Sequence, residues 1–139
     1  METEMKRKVC VITGGGSGMG LATAHRMAKK GYYTILCGRT VSKLENAVNE
    51  LRAAGGEAEA FPCDVSDRES CFALARHAAE CGEVKVMLHI AGLSPHMGDP
   101  EEIATLYEML TDEQLGYLTG ADIICDGGCV ASGAGAFSR

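Results

Sequence analysis

Apolar residues in this chain fall into two kinds of run that take turns. Short runs fit for strands occur at Val9–Ile12, Tyr32–Cys37, Glu57–Phe61 and Val84–Ile90, matching strands buried in a parallel sheet. Between them the spacing is helical: Leu21, Ala24, Met27 and Ala28, then Leu44, Val48 and Leu51, then Cys71, Leu74, Ala75 and Ala78. Gly31, Gly55-Gly56 and Gly82 stop these helices. Ser42 with Glu45 three residues on reads as a capping box for the second helix, and Ser66 or Asp67 caps the third. Strict alternation of strand and helix predicts an α/β fold with a doubly wound parallel sheet. Beyond residues 93–100 the order changes. Ile103, Leu106, Tyr107 and Leu110 mark a helix over 101–110, and Thr111-Asp112-Glu113 opens a short helical turn. Residues 121–126 form a last short strand before a loose, glycine-rich tail from Cys129 to Arg139. With no repeat and no dividing linker, residues 1–139 read as one domain.

The junction between the first strand and the first helix carries the candidate chemistry. There the chain reads Thr13-Gly-Gly-Gly-Ser-Gly-Met-Gly20. Glycines at 14, 18 and 20 permit a tight turn and close approach of backbone to a ligand, and the helix behind them offers unpaired N–H groups to an anion. A dinucleotide pyrophosphate fits. The spacing is Gly-x-x-x-Gly-x-Gly, not the general G-x-G-x-x-G, and no Gly-Lys-Ser/Thr suggests a P-loop ATPase.

Charge and cysteine content narrow the partners. A net charge of −6 and a pI near 5.2 argue against nucleic acid or an anionic membrane as partner. Lys6-Arg7-Lys8 reads as a solvated lead-in to the first strand. Neither a membrane-length apolar stretch nor a signal-peptide pattern is present, so the expected compartment is the cytosol. Seven cysteines without a C-x-x-C pair suggest neither a zinc site nor a disulfide framework. Cys10 and Cys37 read as small buried hydrophobes, while Cys125 and Cys129 are four apart in a glycine-rich segment. His25, His77, His89 and His96 lack metal-ligand spacing and read as structural or surface residues, so no metal is expected.

Taken together, these motifs resemble the short-chain dehydrogenase/reductase family. Thr13–Gly20 corresponds to its glycine motif, Asp64-Val65 to the pair that meets the adenine ring, and Ala91-Gly92 to the end of its Asn-Asn-Ala-Gly strand, with His89 and Ile90 in place of the asparagines. Gly98-x-Pro-Glu-Glu-Ile-Ala104 and Tyr117-Leu-Thr-Gly120 through Asp126-Gly-Gly128 look like its C-terminal helix and final strand. The resemblance implies a Rossmann-type doubly wound sheet and a cofactor site at Gly14, Ser17, Gly18, Met19, Gly20, Arg39, Thr40, Asp64, Val65, Ala91 and Gly92. At the end of the second strand an acid would hydrogen-bond a ribose 2′-hydroxyl, whereas arginine pairs with a 2′-phosphate. Arg39 therefore favours NADP(H) over NAD(H), the alternative being an exposed helix-entry arginine.

The resemblance fails in the middle of the family pattern. Its catalytic serine and Tyr-x-x-x-Lys pair have no counterpart, because Tyr32, Tyr33, Tyr107 and Tyr117 are followed four residues on by Leu36, Cys37, Thr111 and Ala121. The second half of the sheet is reduced to one strand, a junction or gap is expected near residues 98–102, from a segment missing from the chain or an internal deletion, and the fourth strand becomes an edge. Three functions follow as expectations. The first is hydride transfer between NADP(H) and a small alcohol or ketone, in a homo-oligomer. Second is a truncated, catalytically inactive nucleotide-binding module. The third, a methyl donor-binding domain, is opposed by Arg39. Ser94, Pro95, His96 and Met97 are the remaining candidates near the nicotinamide end.

Overall fold

The computed structural model describes residues 5–16, 18–90 and 99–115. Four strands, β1 (Lys8–Thr13), β2 (Tyr33–Gly38), β3 (Ala58–Pro62) and β4 (Glu83–His89), alternate with helices α1 (Gly18–Lys29), α2 (Val41–Ala53) and α3 (Arg68–Cys81). Helix α4 (Pro100–Leu110) and a 3₁₀ turn at Glu113–Leu115 follow. All strand pairs are parallel and the order is β3-β2-β1-β4. The expected α/β architecture is therefore present, among the described residues, as a four-stranded parallel sheet. Residues 121–126, Ser94–Met97, His96, Tyr117, Cys125 and Cys129 lie outside the described residues, as do Ser17 and Ala91-Gly92.

Alternating strand residues divide the core between two faces. Cys10, Ile12 and Leu36 pack with Ala24 and Met27 of α1 and Leu44, Val48 and Leu51 of α2, and Tyr107 of α4 joins them. Val9, Val11, Ile35 and Cys37 pack on the other face with Leu74 and Ala78 of α3. The chain thus changes face after β3, and β4 enters beside β1. This places a topological switch point between the carboxyl ends of β1 and β4.

Local signals were read mostly as the chain uses them. Asp67 caps α3 by accepting from the Ser70 N–H. Asp112 accepts from the Gln114 N–H at 2.9 Å and opens the 3₁₀ turn. Ser42 is a correction: α2 begins at Val41 behind Thr40, whose side chain makes no capping bond, so Ser42 lies inside the helix and no capping box forms. Ala75 is a second correction, being exposed while Leu74 and Ala78 carry the buried face of α3.

Helix α4 packs on α1 through buried Ala104 and half-buried Tyr107, with ion pairs alongside. Arg26 of α1 donates from one terminal nitrogen to Glu108 at 2.9 Å and from the other to Glu101 at 3.0 Å, while Ala104 is buried beside them. The two carboxylates hold the Arg26 guanidinium above its ordinary pKa. At the far side of the sheet β4 leaves Val84 and Met87 exposed.

Candidate functional site

Because the strands are parallel, their carboxyl ends share one edge of the sheet, and the glycine turn sits there. Gly14 has φ of +70° and its missing Cβ would lie 2.2 Å from the Ile90 carbonyl oxygen, so the turn presses onto the end of β4. A Cβ on Gly20 would lie 2.1 Å from the Gly14 carbonyl oxygen. Only glycine at 20 lets the first turn of α1 close on the loop. The Gly14 N–H donates to the Cys37 carbonyl at 2.9 Å, which ties the turn to β2.

Gly18 differs from the other two. It has φ of +56° with open space where a Cβ would stand, and it begins α1. The first turn of α1 carries no acidic residue, so nothing there neutralises the positive end of the helix. Met19 is half-buried beside it. Thr23 is fully buried and donates its hydroxyl proton to the Met19 carbonyl at 2.7 Å, which holds the first turn in place.

The neighbouring strand ends supply polar groups. Arg39 and Thr40 are exposed immediately after β2. The Cys63 N–H donates to the Gly38 carbonyl at 2.9 Å, so the exit of β3 is held against the exit of β2. Asp64 accepts from the Ser66 hydroxyl at 2.6 Å and from the Ser66 N–H at 3.0 Å. These two bonds, with Arg39 nearby, hold its carboxyl below the usual carboxylate range. Val65 stands exposed beside it. Gly14, Gly18, Met19, Gly20, Arg39, Thr40, Asp64 and Val65 therefore gather along one edge. An uncompensated helix N-terminus, an exposed guanidinium and an exposed apolar side chain suit a ligand with phosphate groups and a flat ring.

Thr13 closes the floor of this edge. Its hydroxyl donates to the Leu88 carbonyl and accepts from the Ile90 N–H, both at 3.3 Å, and lies 3.3 Å from His89 Nδ1. The described tyrosines are elsewhere. Tyr32 and Tyr33 lie at the amino end of β2, and the Arg7 guanidinium sits 3.9 Å over the Tyr33 ring. Burial and then Glu59 push the Tyr33 phenol above its ordinary pKa, the opposite of what a proton-donating tyrosine needs.

Comparison with known proteins agrees with the fold. The family model described as short chain dehydrogenase matches residues 8–114. The chain belongs to the short chain dehydrogenase family. An uncharacterized oxidoreductase of Mycobacterium bovis is 34% identical over 124 residues, covering 86% of this chain and 36% of its own. A metagenomic short-chain oxidoreductase solved in complex with NADP superposes with a TM-score of 0.59 at 34% identity, covering 70% of this chain and 47% of that one. A short chain dehydrogenase/reductase from Burkholderia phymatum in complex with NAD gives 0.56 at 38%, covering 62% of this chain and 31% of that one. The chain spans 36–41% of the length of the curated relatives it matches over most of its own length.

One cluster was not read from the sequence. His77, read there as a structural or surface residue, and Cys81 meet Glu59 at the opposite, amino end of the sheet. Their signal was available as a His and a Cys one turn apart on a helix, but Glu59 lies on another element.

Proposed function

We propose that this chain binds NADP(H) along the carboxyl edge of its sheet, as the nucleotide-binding part of an oxidoreductase acting on a small alcohol or ketone. Arg39 carries the reading: it is an exposed cation at the end of β2, where the ribose 2′ position would lie and where the strand itself ends in no acid. Its guanidinium pairs with the 2′-phosphate, the N-terminus of α1 at Gly18 receives the pyrophosphate, and Val65 with Asp64 borders the adenine. Ser17, Thr40, Ala91 and Gly92 complete the proposed contact set. Relatives solved with NADP and with NAD support a nicotinamide dinucleotide. When bound, the dinucleotide supplies or accepts the hydride; the chain's own residues hold and orient it, and Thr13 braces the loop against β4.

The test is a fluorescence titration of the full chain with NADPH and NADH. A charge-assisted pair to the 2′-phosphate is worth roughly ten- to a hundredfold in affinity. NADPH is expected to bind tighter by at least about tenfold, and Arg39→Ala to remove that margin while leaving NADH binding unchanged. Equal affinities in the unmodified chain would sink the reading.

A second reading has its own observation. No tyrosine is followed four residues later by lysine, which favours a nucleotide-binding module without hydride transfer of its own. NADPH binding without any turnover of alcohols or ketones selects it. Assembly with further copies across β4, where Val84 and Met87 are exposed, belongs to the first reading and is checked by sedimentation.

A further inference from the structure

At the amino end of the sheet, far from the glycine turn, three different metal-ligating atoms converge. Glu59 comes from edge strand β3, and His77 and Cys81 lie one turn apart on α3. Cys81 Sγ is 3.3 Å from Glu59 Oε1 and 3.5 Å from His77 Nε2, and His77 Nε2 contacts Glu59 Oε1 directly. We propose that Glu59, His77 and Cys81 form a Zn²⁺ site that clips α3 to β3.

The two sulfur separations suit that ion, whereas His77 and Glu59, in direct contact without it, part by a small side-chain movement to admit it. Zn²⁺ bonds to sulfur at about 2.3 Å and to imidazole nitrogen or carboxylate oxygen at about 2.0–2.2 Å, so tetrahedral ligand atoms stand roughly 3.3–3.6 Å apart. Both sulfur separations fall in that span. An imidazole–carboxylate pair explains His77 and Glu59, but it gives no reason for a thiol in reach of both. Thiolate, imidazole and carboxylate together are a donor set for a borderline cation and not for Ca²⁺ or Mg²⁺. Water takes the fourth position, and the thiol proton leaves to solvent on binding.

The surroundings hold the ligands in place. The Phe61 ring stacks on His77 with centroids 4.9 Å apart and planes 25° from parallel, which fixes the imidazole. His77 and Glu59 side chains are 33% and 24% exposed, open enough for an ion to enter. Arg7, the nearby cation, lies beside the site without occupying it: its Nε donates to the Cys81 carbonyl at 3.2 Å, its guanidinium covers Tyr33, and its charge favours the Cys81 thiolate. Helix α3 buries only Leu74 and Ala78, so a clip at its C-terminal end has a mechanical purpose. Nothing in this site depends on the nucleotide edge.

The experiment uses the full chain, stripped with a chelator and titrated with Co²⁺ and then Zn²⁺. Expected is one Co²⁺ per chain with a thiolate-to-cobalt charge-transfer band that Zn²⁺ displaces, and a higher unfolding temperature with Zn²⁺. Cys81→Ser loses the band with unchanged far-ultraviolet circular dichroism, whereas Cys125→Ser with Cys129→Ser keeps it. Glu59→Gln and His77→Gln weaken Zn²⁺ binding by at least about tenfold. No band in the unmodified chain, or a band that survives Cys81→Ser, overturns the site. Should Cys81→Ser fail to fold, unchanged Zn²⁺ affinity in both Glu59→Gln and His77→Gln overturns it equally.

Discussion

Strands β1 and β4 are hydrogen-bonded neighbours of similar apolar character, yet their surroundings differ. From Val9 to Thr13 every residue of β1 is buried, because α1 and α2 cover one face and α3 the other. In β4 only Leu88 is buried, while Val84 and Met87 are 41% and 47% exposed. The register also slips beside Val9 and Cys10, where β4 inserts an extra residue at Lys85. An apolar strand sequence thus states what a strand can bury. Whether it does so depends on elements that come to cover it, and among the described residues the β4 side of the sheet has few.

That contrast can be attacked where β1 turns into α1. Gly20→Val drives a side chain into the Gly14 carbonyl, against backbone that has no room to yield. The expected destabilisation belongs to the exceptional class beyond about 4 kcal/mol, with loss of NADPH binding. A thermal melt and a nucleotide titration measure both. A variant that melts normally would mean the loop is not packed on α1 as described.

Next in size is Ile12→Ala on β1, a fully buried side chain whose truncation costs about 3 kcal/mol in transfer and cavity terms. Urea unfolding at constant slope gives the value. A loss below about 1 kcal/mol would remove the claim that β1 is packed beneath α1 and α2 on that face.

Alkaline pH acts on the same strands without mutation. Burial pushes the thiols of Cys10 on β1 and Cys37 on β2 from 9.0 up to about 12. The folded chain then keeps protons that the unfolded chain releases. Stability present below about pH 9 is therefore lost as pH rises through that window toward about 12. Urea midpoints at neutral and alkaline pH should show the fall, and Cys37→Ala should make it shallower. A flat profile would show that these thiols are solvated.

Smallest is Met87→Ser on β4, expected to change stability by no more than about 0.5 kcal/mol because the side chain is half in solvent. A loss comparable to that of Ile12→Ala would mean that β4 is covered in solution and would abolish the contrast between the two strands.

Much of this was legible from local pattern. The glycine turn, the alternation through β4, a cap at Ser66 or Asp67 and a helix over 101–110 all rest on residues close in sequence, where periodicity and turn chemistry act. Ser42 misled for the same reason: a Ser and a Glu three apart satisfy the capping pattern, but the backbone turns helical one residue before Ser42. Arg39 could be placed at a strand end from sequence, whereas its closeness to Asp64 required β2 and β3 to lie side by side.

What the sequence determined alone is therefore the alternation of strands and helices through β4, helix α4 and the glycine turn that joins β1 to α1. Tertiary structure decided that β4 lies beside β1, that α4 docks on α1 with the Arg26 ion pairs alongside, and that Glu59 meets His77 and Cys81. The physical reason is range. Helical and strand periods come from neighbours within a turn or two, but strand order and side-chain convergence depend on how crossovers pack across the sheet, and no spacing along the chain records that.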